Sequence, residues 1–144
     1  MTTPTIYRDL LLEHARHPKN SGRIDNPDLQ AFAQNPLCGD ELELTLTLSG
    51  EVIQDCKTQV RGCSICQASA SMMGEILKGK TLESISSLTE TFRGMMRGNN
   101  LSEKDIELFG ELMALEGVRE FPVRIKCALL AWSALDEGIN NYKK

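Results

Sequence analysis

The chain has 144 residues, 41% of them hydrophobic and 25% charged, which is enough for one domain with one core and too apolar for a disordered chain. Sixteen basic against twenty acidic side chains leave a net charge of −4, the wrong balance for a nucleic-acid partner. No apolar run approaches the ~20 residues of a membrane span, and Met1-Thr2-Thr3-Pro4-Thr5 lacks the basic and apolar regions of a secretory leader, so a cytoplasmic setting is expected.

Thr3 to His17 predicts a helix, with Ile6, Tyr7, Leu10, Leu11, Leu12 and Ala15 near helical spacing and Pro18 as the stop. Residues 23–36 read as irregular, broken by Asn26-Pro27 and Asn35-Pro36, with a short edge strand at Leu29–Ala33. Glu41–Leu48 is the clearest strand: Leu42, Leu44, Leu46 and Leu48 alternate with Glu43, Thr45 and Thr47. Ser49-Gly50-Glu51 turns it into a second strand, Val52–Arg61. Cys63–Lys78 reads as a helix rich in Ala68, Ser69, Ala70 and Ser71, with Gly79 at its C-cap. Thr81 opens a helix that fades at Gly94 or Gly98, and Ser102 caps another through Leu112 or Met113. Pro122 opens the last helix, Val123–Glu137. This order predicts an α+β domain spanning 1–144: a small antiparallel sheet of about three strands with helices packed on one face.

Five cysteines, Cys38, Cys56, Cys63, Cys66 and Cys127, do not suggest a disulfide framework when the number is odd and no leader is present. Cys38, Cys63 and Cys127 fall where elements join, and loop ends and helix N-termini are where a scaffold presents reactive groups. Asp40 is two residues after Cys38, and Gly39 between them lets both side chains face one centre. Three thiolates and a carboxylate suit a tetrahedral metal such as zinc. Arg61, Arg124 and Lys126 adjoin two of these residues in sequence and can offset the excess negative charge. A carboxylate is the most exchangeable of the four, which fits a site that opens. Spacing alone leaves open that the four residues are unconnected, since they lack the paired-cysteine knuckles of a zinc ribbon.

Cys63-Ser64-Ile65-Cys66 has the spacing of a redox pair, but that motif belongs to a parallel βαβ context and a hairpin precedes it here. Cys66 shares a helical face with Ala70, Met73 and Leu77, and Cys56 alternates with Val52 and Val60, so both are expected in the core. His14 and His17 are expected at the surface near the helix end, with no acidic or thiol partner near them in sequence. Met72, Met73, Met95, Met96 and Met113 are expected as core filler, and Glu83, Glu90, Glu103, Asp105, Glu107 and Glu111 as a solvated helix face.

Tyr7, Glu13-His14, Pro18, Asn20 and Gly22 resemble the N-terminal signature of the IscU/NifU-like iron–sulfur cluster assembly proteins. Asn35-Pro36-Leu37-Cys38-Gly39-Asp40 and Gly62-Cys63-Ser64-Ile65, followed by Ala68-Ser69-Ala70-Ser71, resemble the two central motifs of that family. Pro122-Val123-Arg124-Ile125-Lys126-Cys127-Ala128-Leu129-Leu130-Ala131-Trp132 resembles its C-terminal motif. The scaffold branch carries His before the third cysteine, within a chaperone recognition sequence, whereas Lys126 stands there in this chain. Cys63 and Cys127 lie 64 residues apart, with extra helical length around 98–117. Both features resemble the SufU branch.

That resemblance implies a zinc site made by Cys38, Asp40, Cys63 and Cys127, with Cys38 as the thiol that accepts persulfide sulfur. It implies a cysteine desulfurase of the SufS type as donor, and a cluster scaffold or thiol acceptor downstream. The alternative it implies is a scaffold that builds and transfers a [2Fe–2S] cluster, or holds iron, on the same four residues. Cys66 stands where relatives usually carry a small residue, and it leaves open an alternative ligand or a resolving thiol.

Overall fold

The computed structural model describes residues 5–36 and 39–143, with side chains from Tyr7 onward outside that gap. The chain runs α1 (Thr5–Arg16), β1 (Leu29–Asn35), β2 (Asp40–Ser49), β3 (Val52–Arg61), α2 (Ser64–Leu77), α3 (Leu82–Met96), α4 (Glu103–Phe109), a 3₁₀ segment (Gly110–Glu120) and α5 (Pro122–Lys143). The strands form one antiparallel sheet in the order β1-β2-β3. α5 packs beneath β1 and β2, α2 beneath β3, and α1 lies against α2. The α+β expectation, with a three-stranded sheet covered on one face, is met.

The leucine row of β2 makes the covered face: Leu42, Leu44 and Leu46 are buried opposite Val60, Thr58 and Cys56. Gly50 turns the hairpin at φ 63°, a left-handed conformation that glycine adopts without a Cβ clash. The free edge of β3 is closed by the chain itself. Gly22 N–H donates to Thr58 C=O and Thr58 N–H to Asn20 C=O, while Gly79 N–H donates to Ile53 C=O and Leu82 N–H to Glu51 C=O.

The small residues of α2 are buried because two helices press on it. Ser69 Oγ donates to the Ala128 carbonyl of α5 at 2.6 Å, and Ser71 Oγ accepts from Lys19 N–H at 2.8 Å. Buried hydroxyls with such partners pin neighbouring helices without leaving a polar group unsatisfied.

Four expectations need correction. The register of β2 and β3 shifts between Thr47 and Leu48, a bulge that inserts an extra residue and inverts the alternation beyond it. Ile53, not Val52, therefore shares the buried side with Cys56, and Val52 is exposed. His14 is not at the surface: it is 3% exposed, with Nδ1 2.7 Å from Ser71 Oγ and Nε2 2.8 Å from Glu111 Oε1. A carboxylate only accepts, so Nε2 carries the hydrogen, and Glu111 is a tether for α1 rather than part of a free acidic face. The helix from Ser102 stops at Phe109, where Gly110 takes φ 54°. The chain continues as a 3₁₀ helix in which Leu112, Leu115 and Val118 recur every third residue on the buried side, the spacing that three residues per turn require. The last helix runs past Glu137 to Lys143. Gly138 does not end it, because its bare Cα lets β1 lie close: a Cβ there would meet Leu29 Cδ2 at 2.8 Å.

Candidate metal centre

Asp40 is the first residue of β2 and shares the covered side with Leu42, Leu44 and Leu46, so its carboxylate points beneath the sheet toward the helices. Cys63 is the N-cap of α2, reached through Gly62 directly after β3. Cys127 lies in the second turn of α5, with Sγ 3.6 Å from the Val123 carbonyl. One donor atom from each of Asp40, Cys63 and Cys127 lies within 4.8 Å of the others. Residues far apart in the chain are thus brought together by one sheet corner and two helix ends.

Asp40 is 1% exposed. Its Oδ1 accepts from Cys63 N–H at 3.0 Å, and its Oδ2 lies 3.8 Å from Cys63 Sγ. Gly62 makes this approach possible, since a Cβ at that position would stand 2.5 Å from Oδ1. No basic side chain among the described residues pairs with Asp40, and Arg61, Arg124 and Lys126 are exposed. A buried carboxylate without a cation is costly, and a metal ion held by this group would supply the missing positive charge. The donor set also fits: about 2.3 Å to each thiolate in a tetrahedron puts sulfurs roughly 3.8 Å apart, so these groups need only draw in slightly.

Cys38, the fourth expected ligand, lies outside the described residues. The loop that carries it leaves β1 at Asn35 and returns through Gly39, whose N–H donates to Asn35 C=O at 2.8 Å with φ 72°. Cys66 is fully buried one turn inside α2 and is not in the three-residue group. Cys56 is fully buried, and burial, reinforced by Asp55, pushes its thiol up to about 12; it is inert core. The expectations for both are met, as is that for the methionines, all buried.

The profile of the family described as NifU-like N terminal domain matches residues 6–144. The chain belongs to this family. It is 42% identical over 135 residues to the zinc-dependent sulfurtransferase SufU of Bacillus subtilis, covering 94% of this chain and 90% of that protein. It is 36% identical to the iron-sulfur cluster assembly scaffold protein IscU of Streptococcus pyogenes, covering 93% of this chain and 82% of that one. Among solved structures, the putative scaffold protein for the SUF system from Fervidobacterium islandicum superposes with a TM-score of 0.84 at 29% identity, covering 91% of this chain and 94% of that one. The N-terminal part of a NifU-like protein from Brucella abortus gives 0.83 at 25% identity, covering 96% and 94%. The family expected from the motifs is the family found. No helix among the described residues is long and apolar enough to cross a membrane.

What the sequence missed at this site is Gly62. In the sequence it stands only as the first residue of the Gly62-Cys63-Ser64-Ile65 motif, whereas in the fold it makes room for a carboxylate more than twenty residues earlier in the chain. The signal was present only in the pairing of the Gly-Cys step with Cys-Gly-Asp.

Proposed function

We propose that this chain is a zinc-dependent sulfur-transfer protein of iron–sulfur cluster assembly, with Cys38, Asp40, Cys63 and Cys127 as its metal ligands. The observation that carries this reading is the convergence of Asp40, Cys63 and Cys127 on one buried point. The 42% identity to a protein named zinc-dependent sulfurtransferase supports it. Zinc, when bound, holds the thiols as thiolates and shields them from oxidation.

The chain's own residues then divide the work. Cys63 sits at the N-terminal end of α2, where unpaired N–H groups favour a thiolate. Asp40, braced by Cys63 N–H, supplies the most exchangeable ligand. Arg61, Arg124 and Lys126 adjoin the Gly62-Cys63 step and Cys127 in sequence and are exposed, which adds positive charge to this end of the domain. Cys38 is the acceptor: its thiolate attacks the terminal sulfur of a persulfide on a SufS-type cysteine desulfurase. A new S–S bond forms at Cys38, the bond to the desulfurase cysteine breaks, and that cysteine leaves as thiolate. The sulfur next passes to a scaffold or thiol acceptor in the cytoplasm. Lys126 and the helical length around 98–117 favour this reading over cluster scaffolding.

The test is desulfurase turnover with and without the protein. The chain should stimulate turnover and carry one zinc, Cys38→Ala should abolish stimulation, and Cys56→Ala should not. Mass spectrometry should place the added sulfur on Cys38. Visible cluster absorption that transfers to an acceptor, without stimulation of turnover, would overturn the sulfur-transfer reading in favour of the scaffold.

A further inference from the structure

The sheet has one closed edge and one open edge. Thr58 of β3 directs its N–H and C=O away from β2, to Asn20 and Gly22. Its partner Leu44 therefore points its own groups toward β1, where it faces Ala31. Antiparallel ladders alternate, so Leu29, Ala31, Ala33 and Asn35 bond inward to β2. Gln30, Phe32 and Gln34 direct their N–H and C=O outward, and among the described residues no backbone group meets them.

Natural edge strands are blunted by charge, proline or a bulge. β1, Leu-Gln-Ala-Phe-Ala-Gln-Asn, has none of these, and its register with β2 is unbroken. At its centre Phe32 is 64% exposed, on the side of the sheet without helices. The sequence Gln30-Ala31-Phe32-Ala33-Gln34 also reads the same in both directions.

We propose that two copies of this chain pair antiparallel through their β1 edges, on a two-fold axis at Phe32, to make a continuous sheet of three plus three strands. On that axis the outward groups match without a gap. Phe32 faces Phe32 of the second copy, Gln30 faces Gln34 and Gln34 faces Gln30, each facing pair exchanging both backbone bonds. On the covered side the facing side chains are the small Ala31 and Ala33, with α5 of each copy beneath its own β1, and the two phenyl rings cover one another on the other side. No charge is brought against its like within the strand. The β3 edge is already closed by Asn20–Gly22 and by the chain after α2, so the pairing occurs once per chain and ends at a dimer.

One strand pair falls well short of the ~1,600 Å² of a standard interface, so association is weak, with Kd in the range of roughly tens to hundreds of micromolar. The axis sends the Asn35 ends of the two copies in opposite directions, on the order of 20 Å apart. Both metal centres stay open to a partner. The inference rests on the sheet alone and stands or falls apart from the proposed function.

Sedimentation of the protein from ~10 μM to ~1 mM tests it. The weight-average mass should climb from 16.0 kDa toward twice that value. Phe32→Lys and Phe32→Glu should each remain at 16.0 kDa, and an equimolar mixture of the two should associate again. In the unmodified protein, exchange of the Gln30, Phe32 and Gln34 amides should slow as concentration rises. That measurement needs no variant to fold. A mass of 16.0 kDa throughout overturns the proposal, including the case in which the edge instead binds an extended segment of another protein. Association of Phe32→Lys equal to the unmodified chain, or a mixture of folded variants that stays monomeric, also overturns it.

Discussion

Replacing Gly62 by Ala places a methyl group where the Asp40 carboxylate now lies. The new Cβ would stand 2.5 Å from Oδ1 and 2.8 Å from Cγ, while ordinary contact begins at 3.4 Å. The carboxylate must therefore retreat by about 0.9 Å, although it is 1% exposed and set at the start of a paired strand. Retreat stretches the 3.0 Å bond from Cys63 N–H, and a buried bond to a charged acceptor contributes about 1.5–3 kcal/mol. It also pulls one donor out of the group that converges within 4.8 Å. Disturbing the groups that orient a metal ligand typically weakens metal binding about 10- to 100-fold, or about 1.4–2.7 kcal/mol. Gly62→Ala differs from Asp40→Ala in a useful way. It keeps the carboxylate but misplaces it, whereas truncation leaves space that water can fill. Competition against a chromogenic zinc chelator, with the thermal midpoint recorded in parallel, measures the effect. Zinc affinity within about twofold of the unmodified protein, at an unchanged midpoint, would refute the assignment of Asp40 as a ligand held by this contact.

His14→Ala removes the bonds to Ser71 and Glu111 and leaves a void between α1 and α2; urea unfolding should show a loss of about 2–4 kcal/mol. A loss below about 0.5 kcal/mol would mean that apolar contacts alone hold α1. The Cys56 thiol is raised from 9.0 to about 12 by burial and Asp55, so the unfolded chain releases that proton first. The contribution of Cys56 is therefore complete below pH 9.0 and declines as pH rises toward about 12. Denaturation from about pH 8 to 11 should show a steeper fall for the unmodified protein than for Cys56→Ala, and equal slopes would refute the buried, protonated thiol.

Much of the fold was legible because local rules and packing agree in it. The leucine alternation of β2, the Thr81 and Ser102 caps, and Pro18 and Pro122 as boundaries all appear where the sequence places them. The misreadings have particular causes. A bulge has no local signature in Val52–Arg61, and it shifted the parity of Val52. Gly138 has the residue type of a helix stop, and only its contact with Leu29 shows that it serves packing. His14 finds its carboxylate 97 residues away, beyond any spacing rule. The 3₁₀ segment was hidden because apolar residues three apart also occur on the face of an α-helix, so Leu112, Leu115 and Val118 carry no spacing of their own.

The site itself was legible as a list of residues but not as a place, and register explains how the list becomes a place. Asp40 belongs to the same row as Leu42, Leu44 and Leu46, which pair with Val60, Thr58 and Cys56 of β3 and with Ala33, Ala31 and Leu29 of β1. A slip of one residue would turn the whole row to the other face and carry the carboxylate away from Cys63 and Cys127. The bulge at Thr47 and Leu48 lies at the opposite end of the hairpin, so its extra residue is absorbed before the row that leads to Asp40 begins. Beyond that row, Arg61 pairs with Glu41, and Gly62 then turns Cys63 under the sheet within reach of Asp40. The leucines carry no chemistry. Yet because a slip would expose every one of them at once, their burial is the term that keeps a charged group at the one buried position where two thiols meet it.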